Sequence, residues 1–249
     1  MTTIGINTLV YMNELQSGTP QSAILPTIAG HGVTLAEVRR EYIADDAEFD
    51  AIAAAAREHG LELFYSVPES ITIDGAAHPG FAGFLDEARR MGVRNVKFNQ
   101  GDVKDVDASV IAGLDAEAAA RGVSLTIEND QTPENGTLAC TTASLAHIEQ
   151  VGGKIGYTFD LGNWFWRGED PDEAFGRLRE RITVFHLKNV NGAANREELS
   201  TTMLQDGVID WRAMLPQLGP DVPVFLEFPI EADRVAEQVA ELRAVVDAR

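Results

Sequence analysis

Short apolar runs rich in Val, Ile, Leu and Phe recur along the chain, and between them lie longer stretches in which Ala, Leu and charged residues follow a helical spacing. The junctions share a signature: GHGVTLAEV, EHGLELFYSV, RMGVRNVKF and ARGVSLTIE each end a helical stretch with glycine and pass at once into a strand-like run. Gly32, Gly60, Gly92 and Gly122 follow one another at intervals of 28, 32 and 30 residues, which suits one helix plus one strand with short loops. Glycine fits just past a helix end because the backbone there often turns left-handed, a conformation that costs any residue carrying a Cβ. The pattern predicts strands near 4–9, 34–39, 61–66, 94–98, 123–128, 155–160, 183–188 and 223–228. Helices are predicted in DAEFDAIAAAAREH, GFAGFLDEARRM, DASVIAGLDAEAAA, TASLAHIEQV and DRVAEQVAELRAVVDAR.

Strict alternation of strand and helix implies parallel strands joined by crossover helices. Eight such strands in 249 residues predict an α/β fold closed into a (β/α)8 TIM barrel, one domain over residues 1–249. An open doubly wound sheet is the rival, but the first βα turn lacks G-x-G-x-x-G and no P-loop sequence occurs. No linker or low-complexity segment interrupts the beat.

Composition narrows the function classes. Hydrophobic residues make up 45% and charged residues 24%, enough apolar side chain for a large core. A formal charge of −19 opposes binding to nucleic acid or to anionic membrane surfaces, so neither is expected as a partner. Cys140 is the only cysteine, which excludes an internal disulfide and suits a reducing, cytoplasmic location. The start, MTTIGINTLVYMNE, has no basic head followed by a long apolar stretch, so no targeting segment is expected.

In such barrels the chemistry gathers at the carboxyl ends of the strands. Strands five to eight read VSLTIEND, IGYTFDLGN, ITVFHLKNV and VPVFLEFPI, and end in Glu128, Asp160, His186 and Glu227. A lone carboxylate there is commonly a helix N-cap or a solvated loop residue. Four consecutive strands ending in ligand-type side chains converge on one point if the barrel closes. Three carboxylates without a cation at that point would repel, so the pattern calls for one divalent ion. Three oxygen donors with one imidazole suit Mn²⁺, Mg²⁺ or Co²⁺, and admit Zn²⁺.

At these residues the sequence resembles the xylose isomerase-like TIM-barrel superfamily of sugar phosphate isomerases and epimerases (AP endonuclease family 2), whose members include ketose 3-epimerases, hydroxypyruvate isomerase, inosose dehydratase and endonuclease IV. The motifs are EVRREY at 37–42, VKFNQG at 96–101, TIEND at 126–130, FDLGN at 159–163, FHLKN at 185–189, DGVIDW at 206–211 and FLEF at 225–228. The resemblance implies Glu128, Asp160, His186 and Glu227 as metal ligands, with Glu128 and Glu227 as the catalytic acid/base pair, and a tendency to form homo-oligomers. The sequence departs from the ketose 3-epimerases at Asn163, where those enzymes commonly carry a histidine. It also reads HLKN where many members read His-x-Lys-Asp, placing Asn189 where a carboxylate would stand.

The chemistry expected is removal of a proton beside a carbonyl and its return to the same or a neighbouring carbon, through an enediolate stabilised by the ion. That defines an isomerase or epimerase of a small keto-sugar or sugar acid, with a dehydratase on the same site or a non-catalytic sugar-binding barrel as alternatives. No basic, glycine-rich cup marks a phosphate site. Lys97, Asn99, Asn163 and Lys188 are candidate substrate contacts. Glu37 is another, although a buried ion pair with Arg39 on the same strand face is an equal reading. Trp164 and Trp166 are placed in a loop over the mouth, as a surface for a sugar or as an apolar lid. His31, His59 and His147 read as structural, and His78 as a loop residue near the mouth.

Overall fold

The computed structural model describes residues 2–133 and 135–248. Eight parallel strands close a barrel: β1 (Ile4–Asn7), β2 (Leu35–Arg39), β3 (Glu62–Ser70), β4 (Asn95–Asn99), β5 (Ser124–Glu128), β6 (Gly156–Asp160), β7 (Ile182–Leu187) and β8 (Val224–Leu226). Each strand pairs with its sequence neighbours, and β1 closes the ring between β2 and β8. All eight expected strands are present, and the α/β-barrel expectation is met.

The principal helices are α1 (Gln21–Gly30), α2 (Ala47–His59), α3 (Phe81–Met91), α4 (Ala108–Arg121), α5 (Leu138–Gln150), α6 (Leu161–Arg167), α7 (Pro171–Leu178) and α8 (Val235–Asp247). Gly60, Gly92 and Gly122 end α2, α3 and α4 at φ of 68°, 74° and 72°. The glycine beat in the sequence is therefore a row of left-handed helix ends. Among the described residues no helix is long and apolar enough to cross a membrane.

Side-chain alternation divides the strands into two faces. The outward face carries Tyr157, Phe159, Phe185 and their neighbours into the main core beneath the helices. The inward face carries a small, separate apolar cluster, Leu35, Phe64, Val184 and Phe225, toward the amino-terminal ends. Gly5 makes this plug possible, since a Cβ there would overlap the Phe225 ring and come within 2.9 Å of Leu35 Cβ. Toward the carboxyl ends the interior turns polar. Asn95 Nδ2 donates to Thr126 Oγ1 at 3.0 Å, Thr158 Oγ1 donates to the same oxygen at 2.8 Å, and the next inward residues are the charged ones.

Candidate metal centre

Two positions beyond the plug residues of β2, β7 and β8 stand Glu37, His186 and Glu227, and two positions beyond Thr126 and Thr158 stand Glu128 and Asp160, all buried at the carboxyl ends of their strands. Glu128 ends β5 and Asp160 ends β6; His186 lies one residue short of the end of β7, and Glu227 one residue past β8. One donor atom each from Glu128, Asp160 and His186 lie within 4.8 Å of one another. Glu227 stands beside that group, linked to Asp160 through Lys188, whose Nζ lies 2.6 Å from Asp160 Oδ2 and 2.9 Å from Glu227 Oε2.

His186 joins the two sides of the space. Its Nδ1 lies 2.8 Å from Glu128 Oε1 and its Nε2 lies 2.9 Å from Glu37 Oε2, which also accepts a hydrogen bond from Asn7 Nδ2 at 2.5 Å. Neither ring nitrogen is aligned for a hydrogen bond, and Glu37 Oε1 and Glu128 Oε1 are buried without a hydrogen-bond partner among the described residues. A hard divalent ion with bonds of about 2.1 Å holds adjacent donors about 3 Å apart. The Glu128 Oε1 to His186 Nδ1 spacing matches that, and Glu37 stands where a carboxylate would orient a ligand histidine from behind. Glu128, Asp160 and His186 therefore fit a divalent ion.

The carboxylates, however, are not left without cations, so the electrostatic premise read from the sequence needs correcting. Lys97 Nζ lies 2.7 Å from Glu128 Oε2, and Arg39 Nη1 lies 2.7 Å from Glu227 Oε1. Glu37, Glu128, Asp160 and Glu227 thus face Arg39, Lys97, Lys188 and, when protonated, His186. Sequence pattern placed the acids together but could not show that bases on β2 and β4 and just after β7 come with them.

The pairing sets the protonation of the group. Burial alone would raise the Glu128 carboxyl, but Lys97 and His186 hold it well below the usual carboxylate range. Burial acts likewise on Glu227, where Lys188 and Arg39 prevail and bring it to about 2. At Asp160 burial wins over Lys188, and the neighbouring Glu227 and Glu128 add to it, raising the carboxyl to about 7. Burial would lower the His186 imidazole, but Glu37 and Glu128 raise it to about 10. A pKa raised in the folded state stabilises below the unfolded value, about 6.5 for imidazole, and that contribution is lost as pH rises through the folded value. The chelator-treated protein should accordingly lose thermal stability between pH 7 and 10, with the ionisation of Asp160, half complete near pH 7, adding to the loss at the lower end of the range. Glu37→Gln should move that loss to lower pH, which thermal melts across the range would reveal.

The remaining expectations meet the structure unevenly. Lys97, Lys188 and Glu37 lie in the buried group, but Glu37 pairs with His186 instead of with Arg39. Arg39 reaches Glu227 and, through Nε at 2.7 Å, Glu41. Asn99 is half-buried at the rim, donating to the Pro68 carbonyl at 3.2 Å. Asn163 is no open substrate contact: its Nδ2 donates to the Asn129 carbonyl at 2.9 Å and its Oδ1 accepts from Gln131 Nε2 at 2.8 Å. Its backbone N–H is capped by Asp160 Oδ1 at 3.0 Å, so Asp160 is an N-cap as well as a member of the charged group.

Trp164 is a clear correction. The residues after Asp160 form α6 rather than a loop, and the turn of that helix carries Trp164 away from the mouth. It is fully buried against Phe159, with ring centroids 5.8 Å apart. Trp166 is half-buried against the same core. Trp211 is fully buried, packed behind an Asp210 N-cap. Cys140 is a buried free thiol. His78 lies off the charged group, its Nδ1 accepting from Gly80 N at 2.9 Å.

Asn129 was missed as a positioning residue. Its Oδ1 accepts from Tyr157 Oη at 2.7 Å and from Asp160 N at 3.0 Å, and its Nδ2 donates to the Asp160 carbonyl at 2.9 Å, tying the end of β5 to the end of β6. The only sequence signal was its place in TIEND, one residue after Glu128. Asn189 ties the chain together in a similar way, since its Nδ2 donates to the Leu204 carbonyl at 3.0 Å and its Oδ1 accepts from Ile209 N at 3.0 Å, folding the loop after β7. A carboxylate there would lack that donor.

Fold and site together define a (β/α)8 barrel with a candidate divalent-metal triad at the carboxyl ends of its strands. The sequence profile of the xylose isomerase-like TIM barrel family matches residues 26–245, and the chain belongs to that family. No curated protein matches it by sequence. Among solved structures it is similar to an L-ribulose 3-epimerase, with TM-score 0.71, 18% identity, and 100% of this chain and 95% of that chain covered. It is similar to the IOLI protein with a bound zinc atom, with TM-score 0.75, 16% identity and 99% of each chain covered. A probable 3-DHS dehydratase, AsbF from Bacillus anthracis, aligns with TM-score 0.71 and 14% identity over 98% of this chain and 99% of that one. At such identities these likenesses show a shared fold.

Proposed function

We propose that the protein is a divalent-metal-dependent isomerase or epimerase of a small keto-sugar or sugar acid. The observation that carries this reading is the convergence of Glu128, Asp160 and His186 within 4.8 Å, fully inside the barrel, with Glu227 beside them. A zinc atom in one structural neighbour and epimerase chemistry in another support it. Glu128 Oε1, His186 Nδ1 and Asp160 would hold the ion, which when bound supplies a positive charge that acidifies the hydrogen beside a substrate carbonyl.

The chain's own residues divide the remaining work. Glu37 presses on the far nitrogen of His186 and favours the tautomer with a bare Nδ1. Lys97 holds Glu128 Oε2 and leaves Oε1 free. Glu227 stands outside the triad and is the carboxylate to remove the proton, with Arg39 holding one of its oxygens in place. The burial of the group excludes bulk water from the carbanion side.

Metal content tests the reading. The purified protein should hold one divalent ion per chain and exchange solvent deuterium into a member of a keto-sugar panel at unchanged product mass apart from the label. His186→Ala should bind the ion at least about 10-fold more weakly. Full retention of metal by His186→Ala would remove the site assignment, and a product lighter by one water would make the protein a dehydratase.

A further inference from the structure

We propose that Lys188 is a built-in competitor of the divalent ion and sets the affinity of the site. This rests on the metal reading above and deepens it. Asp160 has two oxygens: Oδ1 caps α6 through Asn163 N at 3.0 Å, and Oδ2 lies 2.6 Å from Lys188 Nζ. Glu227 is occupied likewise, with Oε1 on Arg39 and Oε2 on Lys188 at 2.9 Å. One ammonium thus sits on the Asp160 oxygen that the helix cap leaves over and on the Glu227 oxygen that Arg39 leaves over.

Lys97 makes the contrast. It is equally buried and pairs with Glu128 at 2.7 Å, but on Oε2, and it leaves Oε1, which accepts no hydrogen bond among the described residues, beside His186 Nδ1 at 2.8 Å. A cation can enter beside Lys97 without displacing it. It cannot reach Asp160 Oδ2 without moving Lys188, because two positive charges a few ångströms apart in a buried space repel strongly. The seat is shaped for the lysine: its stem lies across the start of α6 at Gly162, where an added Cβ would come within 2.6 Å of Lys188 Cγ and 2.9 Å of Cε. Displaced toward the mouth, the ammonium would meet substrate oxygens with the donors it now spends on the two acids.

The experiment is equilibrium binding of Mn²⁺ to the chelator-treated full chain, followed by the loss of the free-ion spin-resonance signal, for wild type, Lys188→Met and Lys188→Gln. Both variants should bind at least about tenfold more tightly, a modest share of the repulsion relieved. Gln keeps an amide donor for the two carboxylates, so Lys188→Gln decides the matter if Lys188→Met does not fold without the ion. Recovery of folded Lys188→Met by added Mn²⁺ would support the proposal. Equal or weaker binding by a folded variant, with wild type binding normally, overturns the proposal and leaves the metal reading intact. No binding by any of the three overturns both.

Discussion

Glu227→Gln is expected to cut solvent-deuterium exchange into substrate by about 10²- to 10⁴-fold while leaving bound metal near one ion per chain. The split follows from where Glu227 stands. The donor atoms of Glu128, Asp160 and His186 gather within 4.8 Å of one another, and Glu227 is not among them. The amide of Gln also keeps an oxygen, so a weak fourth bond to the ion would survive, whereas its basicity would not. The fold should survive too, because Arg39 and Lys188 keep a neutral acceptor. Parallel measurement of metal content and exchange rate, with KM separated from kcat, distinguishes the outcomes. Exchange within a few-fold of wild type would take proton removal away from Glu227. Loss of metal together with exchange would make Glu227 a principal ligand, and the three-residue cluster an incomplete description of the site.

The barrel was legible because its punctuation is local. A left-handed turn needs glycine, and the beat of Gly60, Gly92 and Gly122 follows from φ values of 68°, 74° and 72° at three helix ends. The convergence of Glu128, Asp160 and His186 was legible for a related reason: once the strands are placed, side-chain alternation decides which residues face inward. What alternation cannot supply is the neighbour across the barrel. Glu37 and Arg39 share a face of β2, which suggested a pair, but the curved wall lets each reach another strand, His186 on β7 in one case and Glu227 after β8 in the other. Trp164 was misplaced by a change of period. Helix α6 begins at the residue after Asp160, so the chain turns over at once and sends the indole into the outer core. The lysines were seen as singletons, and only the closed barrel shows them as counter-ions.

That counter-ion role has a cost that can be measured. Lys97→Met should destabilise the chelator-treated protein by about 3–5 kcal/mol, the usual effect of removing one partner of a buried ion pair. Lys97 and Glu128 are both almost fully inaccessible and lie 2.7 Å apart, so the methionine leaves the Glu128 charge without its closest partner and without water. Ionised Glu128 would then lean on His186 alone, 2.8 Å away on its other oxygen. The same argument predicts repair. Adding Glu128→Gln to Lys97→Met removes the stranded charge and should recover most of the lost stability, because a buried ion pair and a neutral pair of similar volume are close in net stability. Divalent metal should also stabilise the single variant more than wild type, since it gives Glu128 a new cation, and should do little for the double variant. Urea denaturation of the four proteins, with and without Mn²⁺, checks each step. Strictly additive effects of the two substitutions would show that Lys97 and Glu128 are not energetically coupled, and the description of Lys97 as the counter-ion of the site would fall with that result.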